Sequence, residues 1–410
     1  MKIGNARFCL SPKKEFYLIG FRSDNRNYPA SGIHDDIYCN SLLFEDEGKK
    51  VFIFSADFLE FEEEMAEEVK TLLNERFGIE RDLVLLCATH DHSSIVSYHK
   101  GWYTNKFDKE YYDFLIDSII KSYEECQKNL QDAYVRYGKQ KVFGYYGNRN
   151  HPGQPADNEV IVVKFYNKDN KAFAGIVNWA VHSTVISAEN TYLSSDLAGE
   201  VSKKLYKSFG FYPAMLVGAA GDCSNRNERH GNGFEELERV SSALAEIIGN
   251  IKDDTEVKCK DIDYATFYHT VHHNMEFVHE NIKKEISKLE DKMNNEQDSK
   301  KKEMLATRIH NMSQDLKINK FHLDIKAEVI SLGEIQLFVF PGELGSKFGI
   351  EMKDQYKGLG LILGYTNGYN EYFMPEEEYG LSFETIGSRI PKGEPEKIVN
   401  KFIKYSQYLI

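Results

Sequence analysis

The constraint that narrows the fold most is a strand–helix–strand succession early in the chain. Val51-Phe-Ile-Phe-Ser-Ala-Asp57 is a short apolar run of the buried-strand type. Glu62–Phe77 follows with amphipathic spacing, acidic at its start and basic at its end, and Gly78 stands where a helix-terminating glycine belongs. Asp82–Ala88 then returns to an apolar Leu/Val run. This order predicts a βαβ unit, and so a sheet with parallel strands covered by helices. The second strand runs directly into Thr89-His90-Asp91-His92-Ser93-Ser94. Residues at i and i+2 of an extended chain share a face, which predicts that both imidazoles look into one crevice. The region beyond the strand carboxyl ends is where open α/β sheets place their ligands.

The remaining chain repeats this grammar. Helices are expected over Lys109–Gln131, around Asp196–Phe209, and over Phe234–Ile251, Leu344–Lys353 and Pro395–Tyr408, the last with its proline in the first turn, where a missing N–H costs nothing. Residues 1–50 read as short strands and turns. Strands are expected over Ala133–Phe143, Glu159–Tyr166, Ala172–Val181, Ala214–Ala220, Phe321–Leu332, Ile335–Phe340 and Leu361–Tyr365, with a hairpin at Asn167–Lys171. Residues 273–316 are dominated by Lys, Glu, Asp, Asn and Gln and carry Ile282, Ile286, Leu289 and Met293 at helical spacing, which predicts a charged helical hairpin inserted in the main body. No linker or internal repeat divides the chain. The expected architecture is one α/β domain over 1–410, a mixed and largely buried β-sheet flanked by helices.

Composition excludes several classes. Of 410 residues, 41% are hydrophobic and 28% charged, as in ordinary globular proteins. A formal net charge of −13 argues against a nucleic-acid surface and against an electrostatic membrane tether. No apolar run approaches the roughly 20 residues of a spanning helix, and the first residues lack the apolar core of a secretory signal. The six cysteines are scattered without a Cys-x-x-Cys pair, which fits reduced thiols in the cytoplasm rather than a zinc finger or disulfide scaffold.

Several strands end abruptly in polar residues: His90 and His92, then His182, Asp222 and Glu343. Two histidines and a carboxylate with one open position form a recurrent catalytic zinc set, and imidazole and carboxylate oxygen suit that borderline cation. His92 is followed by Ser93-Ser94-Ile95 and not by the Asp-His pair of binuclear sites, so a single metal is expected.

Ala88-Thr89-His90-Asp91-His92-Ser93 resembles the Ala-Thr-His-Thr-His-Ser segment of the neutral/alkaline, non-lysosomal ceramidases. Further segments follow in that family's order: Gly32-Ile-His34-Asp35, Gly147-Asn148-Arg149-Asn150, Trp179-Ala-Val-His182-Ser-Thr184, Ser195-Asp196-Leu-Ala-Gly199, Gly221-Asp222, Pro341-Gly342-Glu343 and Asn367-Gly-Tyr-Asn-Glu-Tyr372. The resemblance implies one zinc ion per chain, held by His90, His182, Glu343 and Tyr372. It implies hydrolysis of an amide C–N bond in a small N-acyl substrate by a metal-bound hydroxide, an activity of lipid and sphingolipid metabolism. His92 would then be the general acid/base, and Arg149 would hold the developing oxyanion or a polar substrate group. Asp91, Asp196 and Asp222 would support the ligands or cap loops, with His34 and Phe383 as further residues near the substrate. Phe383 stands where the family carries a tyrosine, and a phenyl ring donates no hydrogen bond. Asp91 replaces a neutral threonine, and the family's C-terminal β-sandwich is expected to be missing from this catalytic domain. Two other readings remain open from the residues: the same metal acting on an ester or a sugar-linked amide, and a non-catalytic binding protein that keeps its metal for structure. The chain is expected to need no nucleic acid and no stable membrane anchor, and a homo-oligomer is left open.

Overall fold

Alternation along the Lys49–Ala56 strand sets the layering: Val51 and Ile53 face one buried layer, Phe52 and Phe54 another. A strand with apolar residues on both faces must be covered on both. The computed structural model describes residues 1–21, 23–96 and 107–409. In it this strand lies second in a five-stranded sheet ordered Val84–Ala88, Lys49–Ala56, Tyr38–Asp46, Lys2–Cys9, Gln131–Asp132. Helices α1 (Glu63–Phe77) and α2 (Lys109–Lys128) cover its outer face through Met65, Val69, Leu115 and Ile119. A second five-stranded sheet runs Ala214–Val217, Ala172–Trp179, Glu159–Tyr166, Tyr134–Lys141, Thr255–Val257. Its outer face meets α3 (Asp196–Phe209) and α4 (Phe234–Gly249) through Val201, Leu205, Val240 and Leu244. The inner faces share one apolar layer containing Ile53, Leu85, Val163, Ile176 and Leu216. Leu337, Val339 and Leu361 enter the same layer from a third sheet of four strands, Ile262–Asn274, Lys320–Leu332, Ile335–Val339 and Leu359–Leu363. Among the described residues, the expected mixed, buried β architecture is therefore divided chiefly into three larger sheets that pack on one another.

Each of these sheets contains one parallel pair. Lys49–Ala56 pairs with Val84–Ala88, Ala172–Trp179 with Ala214–Val217, and Ile335–Val339 with Leu359–Leu363. Parallel neighbours need a crossover, and these crossovers contain α1, α3 and α7 (Ser346–Gln355). As a result three pairs of strand carboxyl ends approach one region. Two buried asparagines tie the sheets together there. Asn178 donates to the carbonyls of Leu216 and Ile362, at 2.9 and 2.8 Å. Asn367 accepts the Leu86 N–H at 2.9 Å and donates to the Val84 carbonyl at 3.0 Å, pairing the edge of the first sheet.

Two regions differ from the sequence expectation. Residues 1–50 hold long strands, Lys2–Cys9 and Tyr38–Asp46, in an antiparallel ladder. Polar residues interrupt both runs, and one such pair, Arg7 and Asn40, joins across the ladder at 3.2 Å. The region before the charged segment is a further strand, Ile262–Asn274, matched residue for residue with Lys320–Leu332. At the end of this ribbon stand α5 (Glu276–Asn295) and α6 (Ser299–Asp315), seated on Met275, Val278 and Ile282. A last helix, α8 (Glu394–Ser406), packs Ile398, Val399 and Phe402 onto the third sheet. Among the described residues no helix is long and apolar enough to cross a membrane.

The approach of the first sheet to α2 is set at Gly4, where an added Cβ would lie 1.9 Å from the Cys126 carbonyl oxygen. Backbone at that distance cannot yield as a flexible side chain would. Gly4→Ala is expected to lower stability by about 1–3 kcal/mol, the usual range for overpacking. Urea denaturation measures this, and an unchanged midpoint would contradict the close strand–helix contact.

Candidate metal centre

The chain leaves the first sheet at Ala88, and two residues later His90 takes a left-handed backbone with φ of +56°. The paired histidines therefore do not share a face by strand extension, as the spacing predicts. A turn brings them together, with His90 Nε2 3.1 Å from His92 Nε2. His182 follows the end of the second sheet's Ala172–Trp179 strand, and Glu343 follows the third sheet's Ile335–Val339 strand. Glu343 Oε2 lies 2.9 Å from His182 Nε2, and Oε1 lies 3.5 Å from His90 Nε2. The three imidazoles offer nitrogens that all lie within 4.8 Å of one another.

The outer ring nitrogens decide what the inner ones can do. His90 Nδ1 meets the Leu59 carbonyl at 2.9 Å, His92 Nδ1 the Gly20 carbonyl at 2.7 Å, and His182 Nδ1 the Ala220 carbonyl at 2.8 Å. A carbonyl oxygen only accepts, so each Nδ1 carries the proton in the neutral ring and each Nε2 presents a lone pair. Burial pushes the His90 imidazole down to about 3 and the His92 imidazole well below its ordinary value, which keeps both neutral. Burial would raise the Glu343 carboxyl, but the nearby Arg149 guanidinium favours the ionised group, which lies below its ordinary value. Tyr365 donates to Glu343 Oε2 at 3.1 Å, and Tyr369 donates to Oε1. Burial and the Glu343 charge raise both phenols, so they stay protonated donors.

What remains at the centre is a set of acceptors turned toward each other. His90 and His92 oppose lone pairs at 3.1 Å. His182 Nε2 faces a carboxylate oxygen at 2.9 Å yet makes no hydrogen bond among the described residues. Like-signed lone pairs at these distances repel unless a cation sits among them. This donor set, neutral nitrogens with one carboxylate and backbone carbonyls holding the outer nitrogens, fits a metal ion such as zinc.

The other expected residues divide. Tyr372 lies beside Glu343 in a short parallel bridge, and its hydroxyl stands 3.2 Å from an Arg149 nitrogen. Arg149 is buried, with Nε on Glu384 at 2.8 Å and Nη2 on the Gly221 carbonyl at 2.7 Å. Asp196 accepts the N–H groups of Val185 and Ile186 at 3.1 and 3.3 Å, fixing the loop after His182. Asp222 accepts the Ser346 N–H at 2.7 Å and so caps α7. Asp91 is buried with one oxygen on the Ser93 N–H at 2.8 Å and the other without a partner among the described residues, and burial raises its pKa well above the usual range. His34 stands apart from the trio, paired with Asp35 at 2.9 Å and stacked on Phe234 at 3.6 Å. Phe383 is 60% exposed and sits edge-on to Tyr372, with ring centroids 6.4 Å apart.

Tyr365, Tyr369 and Glu384 escaped the sequence reading. Tyr365 follows an apolar strand as His182 does, so the strand-end signal that found the histidines applied to it. Glu384 had no local signal. Gly20 is equally hidden: its φ is +103°, and an added Cβ would lie 2.5 Å from His92 Cα, so the carbonyl that orients His92 depends on a glycine.

Residues 9–210 match the family described as neutral/alkaline non-lysosomal ceramidase, N-terminal. The neutral ceramidase of Pseudomonas aeruginosa is 25% identical over 244 residues, covering 53% of this chain and 36% of that protein. Neutral ceramidase A of Dictyostelium discoideum is 26% identical over 194 residues, covering 42% of this chain and 27% of that protein. The matched stretches thus span about a third of these relatives' length or less. The crystal structure of neutral ceramidase from Pseudomonas aeruginosa shares the fold, with a TM-score of 0.76 over 100% of this chain and 74% of that one, at 17% identity.

Beneath the histidines, Asp57 accepts the Tyr38 N–H at 2.9 Å, and burial pushes its carboxyl up to about 6. An unfolded aspartate titrates near 3.9. The folded chain therefore binds more protons than the unfolded one between about pH 4 and 6, and stability falls as pH rises through that window. Asp57→Asn keeps an acceptor for Tyr38 and removes the buried charge. It is expected to stabilise the protein by on the order of 1–3 kcal/mol at pH 8 and by little at pH 4. Urea midpoints of both proteins at both pH values measure this; a variant that gains nothing at pH 8 would show that Asp57 is not a buried charge.

Proposed function

The chain belongs to the neutral/alkaline non-lysosomal ceramidase family, and from that premise we propose that it is a zinc-dependent hydrolase of an amide C–N bond in an N-acyl substrate. The observation that carries the reading is the set of opposed acceptors formed by His90, His92, His182 and Glu343. His90, His182, Glu343 and Tyr372 would hold the ion. Bound there, zinc supplies a water of pKa lowered toward about 7 and polarises the carbonyl to be attacked.

The chain's own groups complete the chemistry. His92 has a neutral ring whose Nε2 lone pair faces the same centre, and in this reading it takes a proton from the attacking water and passes it to the leaving nitrogen. The Gly20 carbonyl, 2.7 Å from Nδ1, keeps the ring in that orientation and favours the imidazolium formed in passing. Arg149 sets the state of Tyr372. Burial and Glu343 raise the phenol, while the guanidinium beside it favours the phenolate that a ligand must become. Glu384 in turn fixes Arg149 and, through its other oxygen, Asn150 at 2.8 Å. Phe383, edge-on to Tyr372, would offer the substrate an apolar face. The chain over 1–410 acts as one unit in this reading, with the helical pair within 273–316 as an appendage. The unpaired cysteines support a reducing compartment, the cytoplasm.

Metal analysis of the purified protein is expected to find about one zinc per chain, with turnover on long-chain N-acyl amides that chelation abolishes. His182→Ala is expected to lose both metal and activity. His92→Ala is expected to keep the metal and lose turnover by about 10²–10⁴, the range for general acid–base groups. Loss of zinc in His92→Ala would reassign that histidine from proton transfer to ligation. Stoichiometric zinc without turnover of any amide or ester would sink the enzyme reading and leave a metal-binding protein.

A further inference from the structure

Histidine is concentrated in one part of the chain. Six of its 13 histidines fall within residues 269–322, on the ribbon of Ile262–Asn274 and Lys320–Leu332 and on the helices it carries. Two of them stand directly opposite one another. His272 is the cross-strand partner of His322, and their rings stack with centroids 4.8 Å apart and planes within 7°. Opposed residues of an antiparallel pair share a face, with Cβ atoms about 4.5–5.5 Å apart. Alternation along both strands puts the next-but-one pair, Thr270 and Asp324, on that same face. The intervening Val271 and the nearby Ile325 are buried, whereas His322 and Asp324 are each 58% exposed, so the histidines lie on the outside of the ribbon.

One ring of the pair is oriented from behind. His322 Nε2 lies 3.2 Å from Asp324 Oδ1, and the Thr270 hydroxyl donates to that same oxygen. The Thr270 hydrogen bond is the largest of the influences that hold the Asp324 carboxyl below its ordinary range, so it stands ready as an acceptor. A neutral His322 ring therefore carries its proton on Nε2 and leaves a lone pair on Nδ1. A carboxylate that fixes the outer nitrogen in this way is a recurrent partner of metal-bound imidazole. His272 is exposed, and χ2 of histidine is a soft torsion. A turn of the two rings can bring one nitrogen from each to the roughly 3.3 Å that two nitrogens span on a tetrahedral zinc. Paired imidazoles suit Zn²⁺, Ni²⁺ or Cu²⁺, whereas Mg²⁺ and Ca²⁺ take oxygen ligands.

We propose that His272 and His322 form a site for a divalent transition-metal ion on the outer face of the ribbon, separate from the buried centre. Asp324 orients His322, and water completes the coordination. An ion there joins the strand that enters α5 to the strand that leaves α6, so it clips the base of the helical pair. Two exposed ligands hold an ion more weakly than a buried set of four. The site therefore fills when free zinc is present and empties on dialysis.

Equilibrium dialysis of the whole chain against free zinc, with Mg²⁺ in excess, tests this. The wild-type chain is expected to bind one more zinc than either His272→Gln or His322→Gln. The same difference is expected when His182→Ala is present in all three proteins, so the result stands whether or not the buried centre holds zinc. Asp324→Ala is expected to weaken binding of the ribbon ion about 10–100-fold, the range for partners that orient a ligand. Zinc is also expected to slow tryptic cleavage within the lysine-rich α5 and α6 of the wild-type chain, and to leave the rate in His322→Gln unchanged. Equal zinc content in the wild-type chain and both glutamine variants would overturn the site. Displacement of the extra ion by Mg²⁺ would do the same, since it marks ordinary binding to surface carboxylates. Cleavage of the wild-type chain at one rate with and without zinc would overturn the clip.

Discussion

A buried carboxylate among histidines is the interaction on which the rest of the site depends. Glu343 is fully buried and ionised, a state that costs several kcal/mol unless the charge is met by donors or a cation. Tyr365 and Tyr369 provide two donors, one to each oxygen. The face turned toward His90 and His182 receives none, because both rings present lone pairs there. The fold thus holds an arrangement that is unfavourable by itself and favourable around a cation. Sheet packing keeps it from relaxing, since each of the three groups hangs from a different sheet.

Backbone carbonyls are the second half of that device. Gly20, Leu59 and Ala220 each fix the outer nitrogen of one ring. None is a polar side chain, and none carries a signal in the sequence. The orientation of the ligands is therefore a property of loop paths. Gly20 makes the dependence visible, because its carbonyl reaches His92 only where a side chain is absent. The chain after Ala220 also carries Asn227 and Arg229, whose side chains donate to the carbonyls of Asn148, Arg149 and Thr184 and so tie the loops around the centre to one another.

Much of the scaffold was legible in local pattern. The strand–helix–strand unit around α1, the helices α2, α3 and α4, and the hairpin at Asn167–Lys171 follow from apolar period and turn residues. His90, His92, His182 and Glu343 announced themselves as polar residues at the ends of apolar runs. Tyr372 did not, since an aromatic residue in an aromatic loop is ordinary packing, and only the family resemblance pointed to it. The geometry of the His90–His92 pair came about by another route than expected, a left-handed residue in a turn in place of an extended strand. Glu384 was missed because its partner Arg149 lies 235 residues away, whereas Tyr365 carried the strand-end signal and was passed over.

The sequence by itself determined which segments become strands and helices, and which strand ends carry imidazole and carboxylate, because those facts depend on neighbours a few residues apart. The tertiary structure alone decided that the strands divide into three sheets with a shared inner layer and that their carboxyl ends converge. It also decided that the pair at His90 and His92 opposes two lone pairs, because a ring's tautomer is set by whichever carbonyl meets its other nitrogen. Those carbonyls come from loops up to 72 residues distant, and no local pattern encodes that meeting.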